Sequence, residues 1–140
     1  MTIVLDASVA LAWCLDDETS GYADSVLSKL DVEDAVVPHH WAPEVANGLL
    51  AAERRGRLTA EESPALVAML LSLPIVPEPV ARERDLTTTV KTAREHGLTT
   101  YDAAYLELAK RIGAPLATLD RALAAAARQV GAGYWDPERI

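Results

Sequence analysis

Residues 2–8, Thr2-Ile3-Val4-Leu5-Asp6-Ala7-Ser8, decide the fold. Thr2 to Leu5 is a short, β-branched, apolar run, which predicts a strand buried on both faces. Asp6 ends that run. A carboxylate there must be hydrogen-bonded, paired or metal-bound, because burying it bare is costly. Three more acids share the predicament. Glu44 lies in Trp41-Ala42-Pro43-Glu44-Val45, Asp102 opens Tyr101-Asp102-Ala103-Ala104-Tyr105-Leu106, and Asp120 ends Pro115-Leu116-Ala117-Thr118-Leu119. If the four meet in space, they make a metal site.

Outward from that strand, helical and extended patterns alternate. Ser20 to Leu30 predicts a helix, with Tyr22, Ala23, Val26, Leu27 and Leu30 at helical spacing. Ala35-Val36-Val37 predicts a second strand, stopped by Pro38. A helix is expected from Pro43 to Arg55, with Gly56 just past its end. Thr59-Ala60-Glu61-Glu62 has capping-box spacing and predicts another helix, through Leu71. Ile75-Val76-Pro77 predicts a third strand. Ala81 to His96 and Asp102 to Ile112 predict helices closed by Gly97 and Gly113, the second capped by Thr99. Leu116 to Leu119 predicts a fourth strand, Arg121 to Gln129 a short helix, and Gly133-Tyr134-Trp135 a last edge strand. Such alternation predicts an α/β fold with a mostly parallel sheet flanked by helices on both faces. No repeat or linker divides the chain, so residues 1–140 are expected to form a single domain. In parallel sheets function gathers at the carboxyl ends of the strands. Asp6 and Asp120 both fall there.

Composition narrows the function. Cys14 is the single cysteine, cannot form an internal disulfide, and sits among Leu11, Ala12, Trp13 and Leu15, so a buried thiol is expected. No basic leader precedes an apolar stretch, and no apolar run approaches the ~18 residues of a membrane span. No membrane association and a reducing, cytoplasmic compartment are therefore expected. The formal net charge of −8 argues against a protein that coats nucleic acid by charge alone. It does not exclude an enzyme whose acids hold divalent cations.

The companions of the four acids sharpen that possibility. Ser8 follows Asp6 by two residues, Asn47 follows Glu44 by three on the same helix face, and Thr118 precedes Asp120 on the same side of a strand. Neutral hydrogen-bonding neighbours of this kind orient metal-binding carboxylates. An all-oxygen set suits magnesium or manganese. Zinc spacing is absent, since His39 and His40 are adjacent and His96 is distant. Each acid also has a plainer role open to it, capping a helix or sitting in its first turn.

At this point the chain resembles a known family. Val4-Leu5-Asp6-Ala7-Ser8, Pro43-Glu44-Val45-Ala46-Asn47, Thr100-Tyr101-Asp102-Ala103-Ala104-Tyr105-Leu106-Glu107-Leu108-Ala109 and Leu116-Ala117-Thr118-Leu119-Asp120-Arg121-Ala122-Leu123 resemble, in order, the motifs of PIN-domain ribonucleases. More narrowly, they resemble VapC-type toxins of type II toxin–antitoxin pairs. The resemblance implies one PIN domain over residues 1–140 with a five-stranded, mostly parallel sheet. It implies a magnesium-dependent endoribonuclease, with manganese as a substitute, that cleaves RNA phosphodiesters by metal-activated water. Asp6, Glu44, Asp102 and Asp120 would be the catalytic and metal-binding acids, supported by Ser8, Asn47 and Thr118. It further implies a homodimer and a cognate antitoxin. Some relatives carry a further acid after the fourth motif, where this chain has Arg121-Ala122-Leu123, so a second metal position is not implied. Local help in holding RNA is expected from Arg54, Arg55 and Arg57, which could equally be cations at a helix C-terminus.

Two other classes fit the sequence less well. An aspartyl-phosphate protein also places acids at strand ends, but Asp6-Ala7-Ser8 lacks the Asp-x-Asp run of such phosphatases. Nor do Lys29, Lys91 and Lys110 fall where a receiver domain needs its lysine. A catalytically weak PIN-like module that binds RNA or a partner is the alternative of a different kind. Leu66, Met69, Leu70 and Leu73 add apolar surface that serves either the core or a dimer interface.

Overall fold

The computed structural model of the chain describes residues 1–18 and 20–138. At its centre is β1 (Ile3–Leu5), whose three side chains are all buried. Successive strand side chains point to opposite faces, so both faces of the sheet are covered there. β2 (Ala35–Val37) pairs with β1 in parallel, Val4 opposite Val36. β3 (Ile75–Pro77) pairs in parallel with β2. β4 (Leu116–Ala117) lies on the other side of β1, Leu116 opposite Val4. The order is β3-β2-β1-β4. From β1 the chain steps outward to β2 and β3, then crosses back to β4. The winding therefore reverses between β1 and β4. In open α/β sheets that reversal opens the crevice in which ligands bind.

The fifth strand expected over Gly133-Tyr134-Trp135 is reduced to one parallel bridge between Leu116 and Tyr134. Leu116 N donates to Gly133 O (3.0 Å) and Trp135 N to Leu116 O (2.8 Å). β4 spans only 2 residues, so it offers little edge for a longer partner.

Several helices form where the periodicity places them. α2 (Gly21–Lys29) is capped by Ser20, and α3 (Trp41–Arg54) covers the segment expected from Pro43. α7 (Thr100–Ile112) starts at its Thr99 cap, and Gly113 closes it with φ 67°, a left-handed turn that glycine adopts without strain. α8 (Arg121–Arg128) follows Asp120.

Three segments depart from the sequence pattern. α1 (Ala7–Cys14) has no amphipathic period, since Ala-Ser-Val-Ala-Leu-Ala-Trp-Cys is apolar nearly all round. It is helical because it is enclosed, with Ala7, Val9, Ala10, Ala12 and Cys14 all buried. α3 crosses it so closely that a Cβ on Gly48 would stand 2.6 Å from Leu11 Cδ1. The helix expected from Thr59 begins later, as α4 (Ser63–Ser72), with Pro64 in its first turn. The Thr59 and Glu62 capping bonds do form, at 3.1 and 3.3 Å, but they close a separate turn. The helix expected over 81–96 is broken into α5 (Arg82–Leu86) and α6 (Thr88–His96). Thr87 sits at φ −123°, ψ −80°, and its hydroxyl donates to Glu83 O at 2.7 Å. Consecutive β-branched threonines with competing side-chain bonds explain the break.

The apolar set on α4 faces inward. Leu70 is buried, and Leu66, Met69 and Leu73 pack on the core. The solvent side of α4 is apolar for a different reason, through Val67 and Leu71, the latter 80% exposed. Cys14 is buried as expected. Among the described residues no helix is long and apolar enough to cross a membrane.

Candidate active site

The end of β1 turns directly into α1, and Asp6 stands at that junction. Its carboxylate does not cap α1. Instead Oδ2 accepts from the Ser8 hydroxyl (2.6 Å) and the Thr118 hydroxyl (2.7 Å). Asp6 N donates to Ala117 O at 3.0 Å, which draws the ends of β1 and β4 together. The two hydroxyls are held in turn. Leu119 N donates to Ser8 Oγ (3.0 Å), and Asp120 N donates to Thr118 Oγ1 (3.0 Å). Both side-chain donors converge on one oxygen, so Oδ1 has no hydrogen-bond partner among the described residues. Ser8 and Thr118 thus both bond the carboxylate of Asp6, whereas Thr118 meets Asp120 only at its backbone N–H.

Glu44 lies in the first turn of α3, where an acid suits the helix dipole. The Tyr105 hydroxyl donates to Glu44 Oε1 at 3.0 Å. Tyr105 comes from α7 and is wholly buried. Burial, together with the charges of Asp6 and Glu44, holds its hydroxyl protonated far above the usual phenol range. It is therefore a permanent donor to Glu44. His40 fills the space beside it, with ring centroids 5.2 Å from Tyr105 and 5.7 Å from Tyr101. His40 Nε2 is 3.4 Å from Glu44 Oε1 yet has no hydrogen bond.

Asp102 is in the first turn of α7, half-buried, and its backbone N–H is taken by the Thr99 hydroxyl at 3.2 Å. Asp120 is exposed, and its Oδ1 accepts from Leu123 N at 2.9 Å, so it does cap α8. That leaves its other oxygen for the site.

The four acids share one electrostatic neighbourhood. Burial first, then the charges of Glu44 and Asp102, push the Asp6 carboxyl up to about 6 despite its two hydroxyl donors. Asp102 is also raised, by burial and then by Asp120 and Glu44. Carboxylates crowded in this way are relieved by a cation.

The donor chemistry fits a hard divalent ion. Asp6 Oδ1 is unpartnered, Glu44 is steered by one oxygen, and every candidate ligand is oxygen. Among the described residues, no three His, Cys, Asp or Glu side chains stand close enough together to hold an ion as placed. Glu44, its side chain 38% exposed, is held by Tyr105, and Asp120 by its bond to Leu123 N.

The remaining sequence candidates lie apart. Asn47 is exposed and makes no hydrogen bond among the described residues. Arg57 is committed elsewhere, with Nε donating to Asp17 at 2.9 Å and its terminal nitrogen to Asp17 and Glu18 at 2.7 and 2.9 Å. Arg54 and Arg55 are exposed at the far end of α3, about 15 Å along the axis from Glu44 at the helical rise. The fold also places Tyr105 and His40 beside Glu44, which the sequence reading does not single out. The available signal was spacing, since Tyr105 follows Asp102 by three on one helix face and His40 precedes Glu44 by four. An open concavity of about 1130 Å³ lies near the amino ends of β1 and β4, lined by Met1, Pro115, Arg128 and Tyr134 among others. It contains none of the acids. Its Arg128 is spent over the Tyr134 ring at 4.5 Å, and Lys29 on Glu33 at 3.0 Å.

Known proteins resemble this chain in sequence and in fold. The family model described as "PIN domain" matches residues 3–129. Ribonuclease VapC3 of Pyrobaculum aerophilum is 35% identical over 124 residues, covering 89% of this chain and 93% of that protein. Ribonuclease VapC9 of Mycobacterium tuberculosis is 31% identical over 118 residues, covering 84% and 85%. The crystal structure of PAE2754 from Pyrobaculum aerophilum superposes with TM-score 0.70 at 28% identity, covering 99% of this chain and 93% of that one. With its parallel sheet and with acids gathered where the winding reverses, this chain belongs to the PIN domain family and is of the VapC type.

Proposed function

We propose that the chain is a magnesium-dependent endoribonuclease, the toxin of a type II toxin–antitoxin pair. The observation that carries this is the convergence of Asp6, Glu44, Asp102 and Asp120 at the carboxyl edge between β1 and β4, with a buried hydroxyl socket under Asp6. Asp6 Oδ1 and Asp102 are the first-choice ligands, and Glu44 and Asp120 join directly or through water. A bound magnesium ion, with manganese as a substitute, would supply charge for the scissile phosphate and lower the pKa of water. The chain's own residues do the positioning. Ser8 and Thr118 lock one oxygen of Asp6, so that the other points to the ligand. Tyr105 locks one oxygen of Glu44 in the same way. Arg54 and Arg55 remain as phosphate contacts at a distance, and Arg57 holds Asp17 and Glu18 instead. A homodimer and an antitoxin belong to the proposal. The exposed Val67 and Leu71 of α4 are available apolar surface for such contacts.

The test is RNA cleavage with magnesium, after EDTA, and after adding magnesium or manganese back. Cleavage should vanish with EDTA and return with either ion. Cleavage that survives EDTA overturns the metal-dependent mechanism. One observation favours the second reading, a binding module of weak activity: among the described residues no three acids close on an ion as placed. Calorimetric titration with manganese separates the two, since a pure binding module would take up none near millimolar.

Tyr105→Phe keeps the ring and removes the donor to Glu44. We expect a stability loss of about 1 kcal/mol. Manganese affinity should fall about tenfold, as for other residues that orient metal ligands. Unchanged affinity would show that Glu44 needs no steering.

A further inference from the structure

Tyr101 is the one aromatic side chain among the described residues that stands largely in solvent, 69% exposed. The others are occupied. Tyr105 is buried, Tyr22 stacks on Tyr134 at 5.4 Å, Trp41 and Trp135 belong to the core, and Trp13 Nε1 donates to Ala23 O. Tyr101 immediately precedes Asp102 in the first turn of α7, so its ring marks the rim of the acid cluster. Its neighbour on the inner side is His40, at 5.7 Å between centroids with planes 62° apart. Beyond His40 comes the Glu44 carboxylate, 3.4 Å from Nε2. The ring is thus backed by another ring on the side of the acids and open to water elsewhere.

Charge makes such a ring useful. Four acids and a net charge of −8 repel a polyphosphate, and the exposed cations Arg54 and Arg55 are about 15 Å from Glu44 along α3. Among the described residues only the exposed Arg121 stands beside the acids, next to Asp120, so binding there gains from a further term that does not depend on phosphate charge. Base stacking on an aromatic face is such a term, and every base offers one. A base can stack there only if it is not already stacked and paired in a duplex.

We propose that Tyr101 is a stacking platform for an unpaired nucleobase next to the cleaved phosphodiester. This rests on the ribonuclease reading above.

The experiment is done in two stages. Cleavage of an unstructured RNA oligonucleotide by the unaltered protein with magnesium comes first. No cleavage refutes the ribonuclease reading, and this proposal with it. Then KM, kcat and thermal midpoint are compared for Tyr101→Ala and Tyr101→Phe. We expect KM to rise about tenfold for alanine, a modest share of what one stacked base contributes, and to stay within about twofold for phenylalanine. The exposed position predicts unchanged midpoints. Binding is also measured in an Asp6→Asn background against the oligonucleotide and a stable abasic counterpart of the same length. Alanine should weaken the first and leave the second unchanged. Cleavage with no KM change in Tyr101→Ala, or equal weakening toward both oligonucleotides, overturns the platform while leaving the ribonuclease reading intact.

Discussion

Asp6→Asn is expected to abolish RNA cleavage and, in metal-free buffer at pH 7, to make the protein more stable. The activity loss should be at least about a hundredfold, because even residues that only orient metal ligands cost up to that much. The stability gain follows from the buried carboxyl. Its pKa is raised from 3.8 to about 6, chiefly by burial, so the folded state prefers the protonated form. The contribution of that preference is full below pH 3.8 and is lost as the pH climbs through about 6. At about 1.4 kcal/mol per unit, the amount lost by neutral pH is on the order of 3 kcal/mol. Asparagine is never charged, and its carbonyl oxygen can still accept from Ser8 and Thr118. The check is urea unfolding of both proteins, without metal, at a series of pH values. The wild-type midpoint should fall relative to the variant between pH 4 and 7. Parallel profiles would refute the buried-charge account, and a variant that still cleaves RNA would refute the site. Magnesium should narrow the gap by stabilising the wild type alone. Stability traded for a charged site is a common feature of functional centres.

Leu116→Ala should be the most damaging of the core substitutions for the site as well as the fold. Leu116 is wholly buried in β4, paired across to Val4 on one side and bridged to Tyr134 on the other. Truncation removes apolar burial and leaves a cavity, for an expected loss of about 2–5 kcal/mol. The measurement is a urea midpoint with the slope unchanged, since the surface exposed on unfolding is nearly the same. A loss under about 1 kcal/mol would mean that the neighbours collapse into the gap. β4 also delivers Thr118, whose hydroxyl holds both Asp6 Oδ2 and Asp120 N. Activity per folded molecule should therefore fall even where folding is complete.

Much of this was legible along the chain. Ile3-Val4-Leu5 reads as a doubly covered strand because both of its faces are apolar, and it is the central strand. Thr99, Gly97 and Gly113 read as helix punctuation because caps act within one turn. The acids read as a group because each adjoins an apolar stretch, although the fold buries only Asp6 and leaves Asp120 exposed. Other features were not legible for equally definite reasons. Ala7–Cys14 shows no period, since a helix enclosed on every side has no polar face to mark it. The break at Thr87 depends on a hydroxyl that competes with the backbone, a choice periodicity does not register. Arg57 looked available in a basic cluster, and only folding brought Asp17 and Glu18 to it from 40 and 39 residues away.

By itself, then, the sequence determined the alternation of strands and helices, the turns that punctuate them, and which carboxylates were out of place. These are short-range matters, settled by the chemistry of a few neighbouring residues. Only the tertiary structure decided what each carboxylate touches. It brought the Thr118 hydroxyl to Asp6 and Tyr105 from α7 to Glu44 on α3. The first of those pairings spans 112 residues and exists because β4 returns to the side of β1. No local propensity encodes that return. It follows from burying both faces of one sheet at once.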